Sequence, residues 1–496
     1  MFRKYLFRLF SIEQLWIFLS ILIICTSIFL AFYNWAYDDP FISYRYAANL
    51  ARGQGFVYNF GERSLSATSP FLVVLLAIFY PIWADVPHLA NLIGAFSLAL
   101  GGVFLWDLAR SWKSPILGYT GLILYPTFPL MVSTLGSETP ICLAFCLASF
   151  AFYARRNFYL SVLFVGMAIL SRPDALILPI VFLADYLLRL RRPFPLKVVF
   201  LFIILVLPWF LFAYQYFGSP LPLTLAAKQQ QGLLAISRKF VPGLSGLFFG
   251  YLRSEYFKLE VVIALAGIFF LLIHAKRWAL FIAWPILYFI SYSLLGVSSY
   301  FWYYAPLIPG FLILVGLGLS WILKLKQPLH NFLGLNPARF NRVAHILIIL
   351  LISLLCLGQV KNLQLMRKQP DVRYQIYRAA GDWLRINTSI NATVGTLETG
   401  IIGYYSNRTM VDFAGLLQPD VAENLSPAPD YSKSAEWAVE HYKPDYLVLF
   451  EGSFPDLQKD YVSKFCKSIH QFQGDQYGHP GVLDIYTCNW SSSNFS

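Results

Sequence analysis

Between residues 12 and 360 the sequence is a succession of long apolar runs separated by short polar breaks. Beyond residue 360 the runs shrink to strand length and alternate with mixed stretches. A helix crossing the hydrocarbon core of a bilayer needs roughly 20 apolar residues. Runs that fit a crossing, or come close to one, occur at 12–34, 88–109, 115–133, 139–154, 158–171, 174–188, 197–216, 258–274, 279–296, 301–322 and 343–360. The pattern predicts a polytopic α-helical membrane protein of about 11 spans with outer-face juxtamembrane helices, followed by a C-terminal soluble α/β domain. The membrane domain covers 1–360 and the soluble domain 361–496. In the latter, 393–397, 409–413, 445–450 and 482–488 read as strands, and 374–385 and 432–441 as helices.

Two stretches do not fit a plain crossing. Residues 70–84 are apolar but short and broken by Pro81, which suits an interfacial or re-entrant helix on the outer face. Residues 158–188 lie between two basic clusters and so must cross twice, turning at Ser171-Arg172-Pro173-Asp174. Two helices of about 14 residues each reach only ~21 Å. Their turn is therefore expected at membrane depth, where irregular backbone is tolerated beside a water-filled cavity.

Composition agrees: 57% of the 496 residues are hydrophobic and only 13% charged. Soluble domains are nearer a quarter charged. Residues 1–360 hold 26 Lys/Arg against 11 Asp/Glu, and 361–496 hold 12 against 15. The net charge of +12 is therefore concentrated in the membrane part. Arg3/Lys4/Arg8, Arg110/Lys113, Arg155/Arg156, Arg189/Arg191/Arg192/Lys197, Lys276/Arg277, Lys324/Lys326 and Arg339/Arg342 sit between apolar runs, as cytoplasmic lysines and arginines do. Eleven crossings with the N-terminus inside place every cluster in the cytoplasm and the C-terminal domain outside. The expected location is a bacterial plasma membrane with a periplasmic domain. Basic residues so placed argue against nucleic acid as a partner. The first run is too long and aromatic for a cleaved signal peptide, no Walker-type loop precedes a helix, and the histidines lack metal-ligand spacing.

The scarcity of acids makes the outer ones informative. Asp38-Asp39 follows the first span directly. Asp39 before Pro40 reads as N-cap and first helical residue of a surface helix ending at Gly53, which leaves Asp38 free to point elsewhere. Capping by both acids is the plainer alternative. Ionisable groups at the mouth of a membrane cavity favour a functional role. Glu138, in Ser137-Glu138-Thr139-Pro140, is either a helix-start acid or a second acidic position at the same site. A divalent cation between Asp39 and Glu138 is chemically possible, although no further metal signature accompanies them. Lys228, in the outer loop 217–257, is a candidate phosphate ligand. Arg172 either faces the same phosphate or pairs with Asp174. Arg45 either orients the acidic pair or meets lipid headgroups. Tyr303 and Tyr304, in the run Tyr300-Phe301-Trp302-Tyr303-Tyr304, are candidate pocket residues or part of an interfacial aromatic belt. Glu398 and Asp412 sit beside strand ends, with surface charge as the default reading. Cys466 and Cys488 are the two tail cysteines; in an oxidising compartment a disulfide between them is expected, the alternative being two free thiols.

The stretch DDPFISYRYAANLARGQGFVYNFGERSLSATSP (38–70) resembles the first outer loop of GT-C superfamily membrane glycosyltransferases. It is most similar to the branch of the mycobacterial arabinofuranosyltransferases, and to membrane mannosyl- and aminoarabinose transferases, the protein mannosyltransferases among them. LGSETP (135–140), SRPDAL (171–176), FGSPLPLTLAAK (217–228), SYFWYYAPLIP (299–309) and GTLETGIIGYYSNRTMVDFAGL (395–416) continue the resemblance in order. It implies an inverting transfer of an arabinofuranose- or mannose-like sugar from a polyprenyl-phosphate donor. The acceptor is a hydroxyl of an envelope glycan, lipid or protein on the outer face. It further implies Asp38 as the base, Asp39 and Glu138 beside it, and Lys228 on the donor phosphate. The rival reading is a transporter or flippase of a lipid-linked sugar, which needs the same charged cavity but no base.

Overall fold

The computed structural model describes residues 12–190, 195–324, 337–425 and 427–491. Arg3, Lys4, Arg8, Arg191, Arg192 and Lys326 of the basic clusters lie outside the described residues, as does the side chain of Arg339. Among the described residues seven helices are long and apolar enough to cross a membrane. They are Glu13–Ala31, Val86–Ser111, Leu196–Phe217, Glu255–His274, Lys276–Leu295, Phe301–Lys324 and Asn341–Arg367.

The other four expected spans are shorter or broken. Pro115–Thr127 stops before a second short helix, Pro129–Ser133, because Pro129 forces Phe128 into extended backbone. Thr139–Ala154 and Phe158–Ser171 are single helices. The turn expected at 171–174 is present: Arg172 is extended, Pro173–Leu176 forms one 3-10 turn, and Ile177–Asp185 leads back. Pro70–Phe79 is a short helix whose first turn is capped by Ser69 Oγ accepting from Leu72 N.

The loops assigned to the outside gather at one end of the bundle, against the C-terminal domain. At the other end Arg155 meets Asp107, Arg110 meets Glu13, and Trp278 Nε1 donates to Ser114 Oγ at 3.2 Å. The last membrane helix, Pro337–Arg367, runs past residue 360 before the soluble part begins.

The soluble part is built on a five-stranded sheet ordered β2-β1-β3-β5-β4. Its strands are β1 Thr393–Thr396, β2 Thr409–Asp412, β3 Tyr446–Phe450, β4 Cys466–Phe472 and β5 Leu483–Cys488. β1 runs parallel to β2 and β3, whereas β5 is antiparallel to β3 and to β4. β4 was not legible in the sequence, because CKSIHQF is an exposed edge strand without an apolar alternation. On one sheet face Val411, Phe413, Leu447 and Leu449 pack under helix Ser432–Tyr442. On the other, Val394, Met410, Val448 and Ile485 join Ile401 and Ile376 in a core shared with Phe41, Tyr46, Tyr58 and Leu72. The soluble part thus buries one face against the outer loops.

Cys466 and Cys488 oppose each other on β4 and β5 and are joined by a disulfide spanning 22 residues. Closing a loop of that length restricts the unfolded chain by about 3 kcal/mol. Replacing both cysteines with serine should lower the thermal unfolding temperature, and added reductant should then have no further effect. Equal stability of the two proteins would show that the bridge contributes nothing.

Candidate active site

Helix Pro40–Ala51 starts where expected, at a proline that needs no backbone partner, and Gly53 follows it at φ +76°. The two acids before it, however, exchange their expected tasks. Asp39 has helical backbone angles and its side chain caps nothing. Asp38 instead caps a helix of the soluble domain: its carboxylate accepts from Gly400 N at 2.9 Å and Ile401 N at 2.8 Å. Those N–H groups open helix Gly400–Ser406, where a negative charge is stabilised. Only glycine fits at 400, since a Cβ there would lie 2.1 Å from the Asp38 carbonyl oxygen. The helix itself is buried from Pro40 to Asn49 rather than lying with one face on lipid, because the soluble domain covers it.

Arg45 belongs to the same seam. It donates to the carbonyls of Gly403 and Arg408 and stands 4.2 Å over the Tyr58 ring, so it ties helix Pro40–Ala51 to the soluble domain. Glu398 and Asp412 are not surface charges either. Glu398 accepts from Arg373 Nη1 and lies within reach of Asp38. Burial, and then the Glu398 charge, hold the Asp38 carboxyl well above the usual carboxylate range; burial likewise raises Glu398 against the opposing Arg373. Asp412 is fully buried and accepts from Ala414, Leu416 and Leu417 N–H groups, and burial pushes its carboxyl up to about 7.

Asp39 faces a cavity of about 360 Å³ between the membrane helices and the outer loops. Lys228, on helix Leu223–Gln231, reaches Asp39 Oδ2 at 3.4 Å and sits 3.7 Å over the Tyr300 ring. Burial alone would push the Lys228 ammonium down, but the Asp39 carboxylate keeps it above the ordinary lysine value, so it remains a cation. Across the cavity Arg172 forms the second charged group. Its Nη1 donates to Glu138 Oε1 at 3.3 Å and to Thr139 Oγ1 at 3.1 Å. Its Nη2 donates to Asp174 Oδ2 at 2.6 Å and to Tyr292 Oη at 3.1 Å. Arg172 therefore pairs with Asp174, one of the two expectations for it, and also lines the cavity. Glu138 also lines the cavity; its side chain caps no helix, and burial raises its carboxyl while Arg172 opposes the rise.

Tyr303 lines the cavity with its neighbour Trp302. Tyr304 does not: it is buried and donates to the Phe240 carbonyl at 2.9 Å. Sequence reasoning missed Tyr292 and Trp302. Tyr292 lies within an apolar span, so only its hydrogen bond to Asp174 at 2.8 Å marks it. Leu176, Leu221, Leu225, Leu295 and Val297 supply an apolar flank. Of the two acids between which a divalent cation was considered, Asp39 faces Lys228 and Glu138 faces Arg172. Among the described residues no group of three His, Cys, Asp or Glu is arranged to hold a metal ion.

Residues 364–485 match a family described as "Domain of unknown function (DUF8728)". No curated protein matches the sequence. Two structures of ArnT from Cupriavidus metallidurans share the architecture. The form bound to undecaprenyl phosphate superposes with TM-score 0.59 at 14% identity, over 97% of this chain and 99% of that one. The apo form gives 0.60 at 15% identity, over 96% and 98%. The similarity runs through both the membrane helices and the soluble domain. The chain is a multi-pass membrane protein with the GT-C fold.

Proposed function

We propose that the chain is a glycosyltransferase that takes a sugar from a polyprenyl-phosphate donor and transfers it to a hydroxyl on the outer face of the membrane. The observation that carries this reading is the cavity itself, in which the Asp39 carboxylate stands beside the buried Lys228 ammonium, with the buried Arg172 across from it and an apolar flank. The undecaprenyl phosphate held by the similarly folded ArnT supports the choice of donor. Sugars of the arabinofuranose or mannose kind, pentosyl or hexosyl, and acceptors on an envelope glycan, lipid or protein remain the expected range. With the basic ends of the helices cytoplasmic, the soluble domain is periplasmic.

Each step has a residue. The prenyl chain lies along Leu221, Leu225 and Leu295, and the phosphate is held by Lys228 with Arg172 beyond it. Lys228 exchanges Asp39 for the phosphate as the donor enters, which releases the carboxylate. The acceptor oxygen attacks the anomeric carbon as the bond from that carbon to the phosphate oxygen breaks. The acceptor's proton passes to Asp39, and polyprenyl phosphate departs with its new charge met by Lys228. A carboxylate is a weak base, so orientation supplies much of the rate.

A strain lacking the protein should accumulate a prenyl-phosphate sugar and lose one residue from an envelope acceptor, both read by mass spectrometry. Unchanged lipids and acceptors would refute the reading. In purified protein, Lys228→Ala should weaken undecaprenyl-phosphate binding about 10- to 100-fold, the worth of one charge-assisted contact. Unaltered affinity would remove Lys228 from the site.

A further inference from the structure

The soluble domain carries a second cavity that the transfer chemistry does not use. The strand order 2-1-3 makes the chain leave β1 to one side and return past it to reach β3. The connecting helices lie on opposite faces: Gly400–Ser406 belongs to the core shared with the outer loops, and Ser432–Tyr442 covers the other face. Such a reversal leaves a crevice beyond the carboxyl ends of the two strands, where ligands of open α/β sheets bind. Here that position holds a cavity of about 330 Å³. Thr396 to Glu398 at the end of β1, and Gly452 to Phe454 after β3, form its walls, with Tyr377 and Tyr431 across them.

Its chemistry differs from that of the catalytic cavity. The lining offers two carboxylates, Glu398 and Asp430, the hydroxyls of Thr396, Ser432 and Ser453, and the rings of Tyr377, Tyr431, Phe450 and Phe454. Among the described residues no lysine, arginine or histidine lines it; Arg373 stands behind Glu398 and is paired with that acid and with Asp371. With Arg373 already neutralised by Glu398 and Asp371, a phosphate or uronate would meet two carboxylates and no cation in the lining, whereas sugar hydroxyls can donate to the carboxylates and sugar faces can lie on the rings. Two contacts link the cavities. Tyr431 hydrogen-bonds Tyr300, whose ring carries Lys228, and Glu398 contacts Asp38, the neighbour of Asp39.

We propose that this crevice binds a neutral glycan segment of the acceptor and presents the chain's end to the catalytic cavity. The proposal rests on the transferase reading for its purpose but not for its test. Full-length protein in nanodiscs is mixed with the neutral oligosaccharides released from the cell's own envelope, and separately with the anionic ones. Binding is read by saturation-transfer NMR. The neutral fraction should give transfer and the anionic fraction little. Ser453→Trp, which fills the crevice, and Asp430→Ala should each weaken binding at least tenfold while undecaprenyl phosphate still binds. Lys228→Ala should do the reverse. Absence of transfer to any neutral fraction, preference for the anionic one, or undiminished binding in both crevice variants overturns the proposal. Crevice-dependent glycan binding in a protein that moves no sugar would leave this inference standing and sink the transferase reading.

Discussion

Asp39→Asn is expected to lower the rate of sugar transfer about 100- to 10,000-fold, the usual worth of a positioned general base, with undecaprenyl-phosphate binding retained. The amide preserves shape and can still accept a hydrogen bond from Lys228, but it cannot take a proton. Asp38→Asn should act differently. One of the two N–H groups at Gly400 and Ile401 would face an amide NH2 instead of an oxygen, so the soluble domain should dock less firmly and unfold at lower temperature. Measuring transfer, donor binding and melting on both variants separates the roles. Loss of transfer in Asp38→Asn alone, with normal melting, would return the base to Asp38, as the family resemblance implies. Full transfer by a folded, donor-binding Asp39→Asn would remove Asp39 as the base. A transporter would need neither carboxylate for proton removal.

The second large effect is structural. Arg172 is about nine-tenths buried and is the counter-charge for both Glu138 and Asp174. Removing one partner from a buried ion pair strands the remaining charge at a cost of about 3–5 kcal/mol. Arg172→Gln should fall near the lower end, because both acids keep a wetted edge on the cavity. Melting of the purified protein measures the loss. Adding Glu138→Gln and Asp174→Asn to the same chain should recover most of it, since uncharged partners need no compensation. If the triple variant melts no higher than Arg172→Gln, the arginine stabilises by packing and not by charge. The ion cluster also explains why the short helices Phe158–Ser171 and Ile177–Asp185 turn where they do: the turn carries its own cation and acid to the cavity.

How much of this was legible depended on range. The apolar runs, the break at 172–176 between two short helices, the start of helix Pro40–Ala51 and four of the five strands follow from periodicity, proline and the length of a bilayer crossing. All of these are local rules. Lys228 could be singled out because a cation expected on the outer side breaks the charge pattern, and Arg172 because two short helices put its turn beside a cavity. β4 was missed because an edge strand has only one neighbour and no buried face to impose an alternation. The capping argument erred for a related reason. Asp38 and Asp39 are neighbours in sequence, and a local rule sees one helix beginning after them. It does not see the second helix, at Gly400, which arrives from more than 360 positions away and takes Asp38 for itself.

The amino-acid sequence by itself determined that the chain enters a membrane and which of its runs form the long apolar helices, because bilayer thickness and charge desolvation act on each segment separately. Only the tertiary structure decided which of those charges meet. It drew Asp38, Arg45, Glu398 and Asp412 into the seam and core of the soluble domain, and left Asp39, Glu138, Arg172 and Lys228 around one cavity. Pairing is a property of distance in space, and in this fold the partners come from loops that the sequence separates by whole membrane crossings.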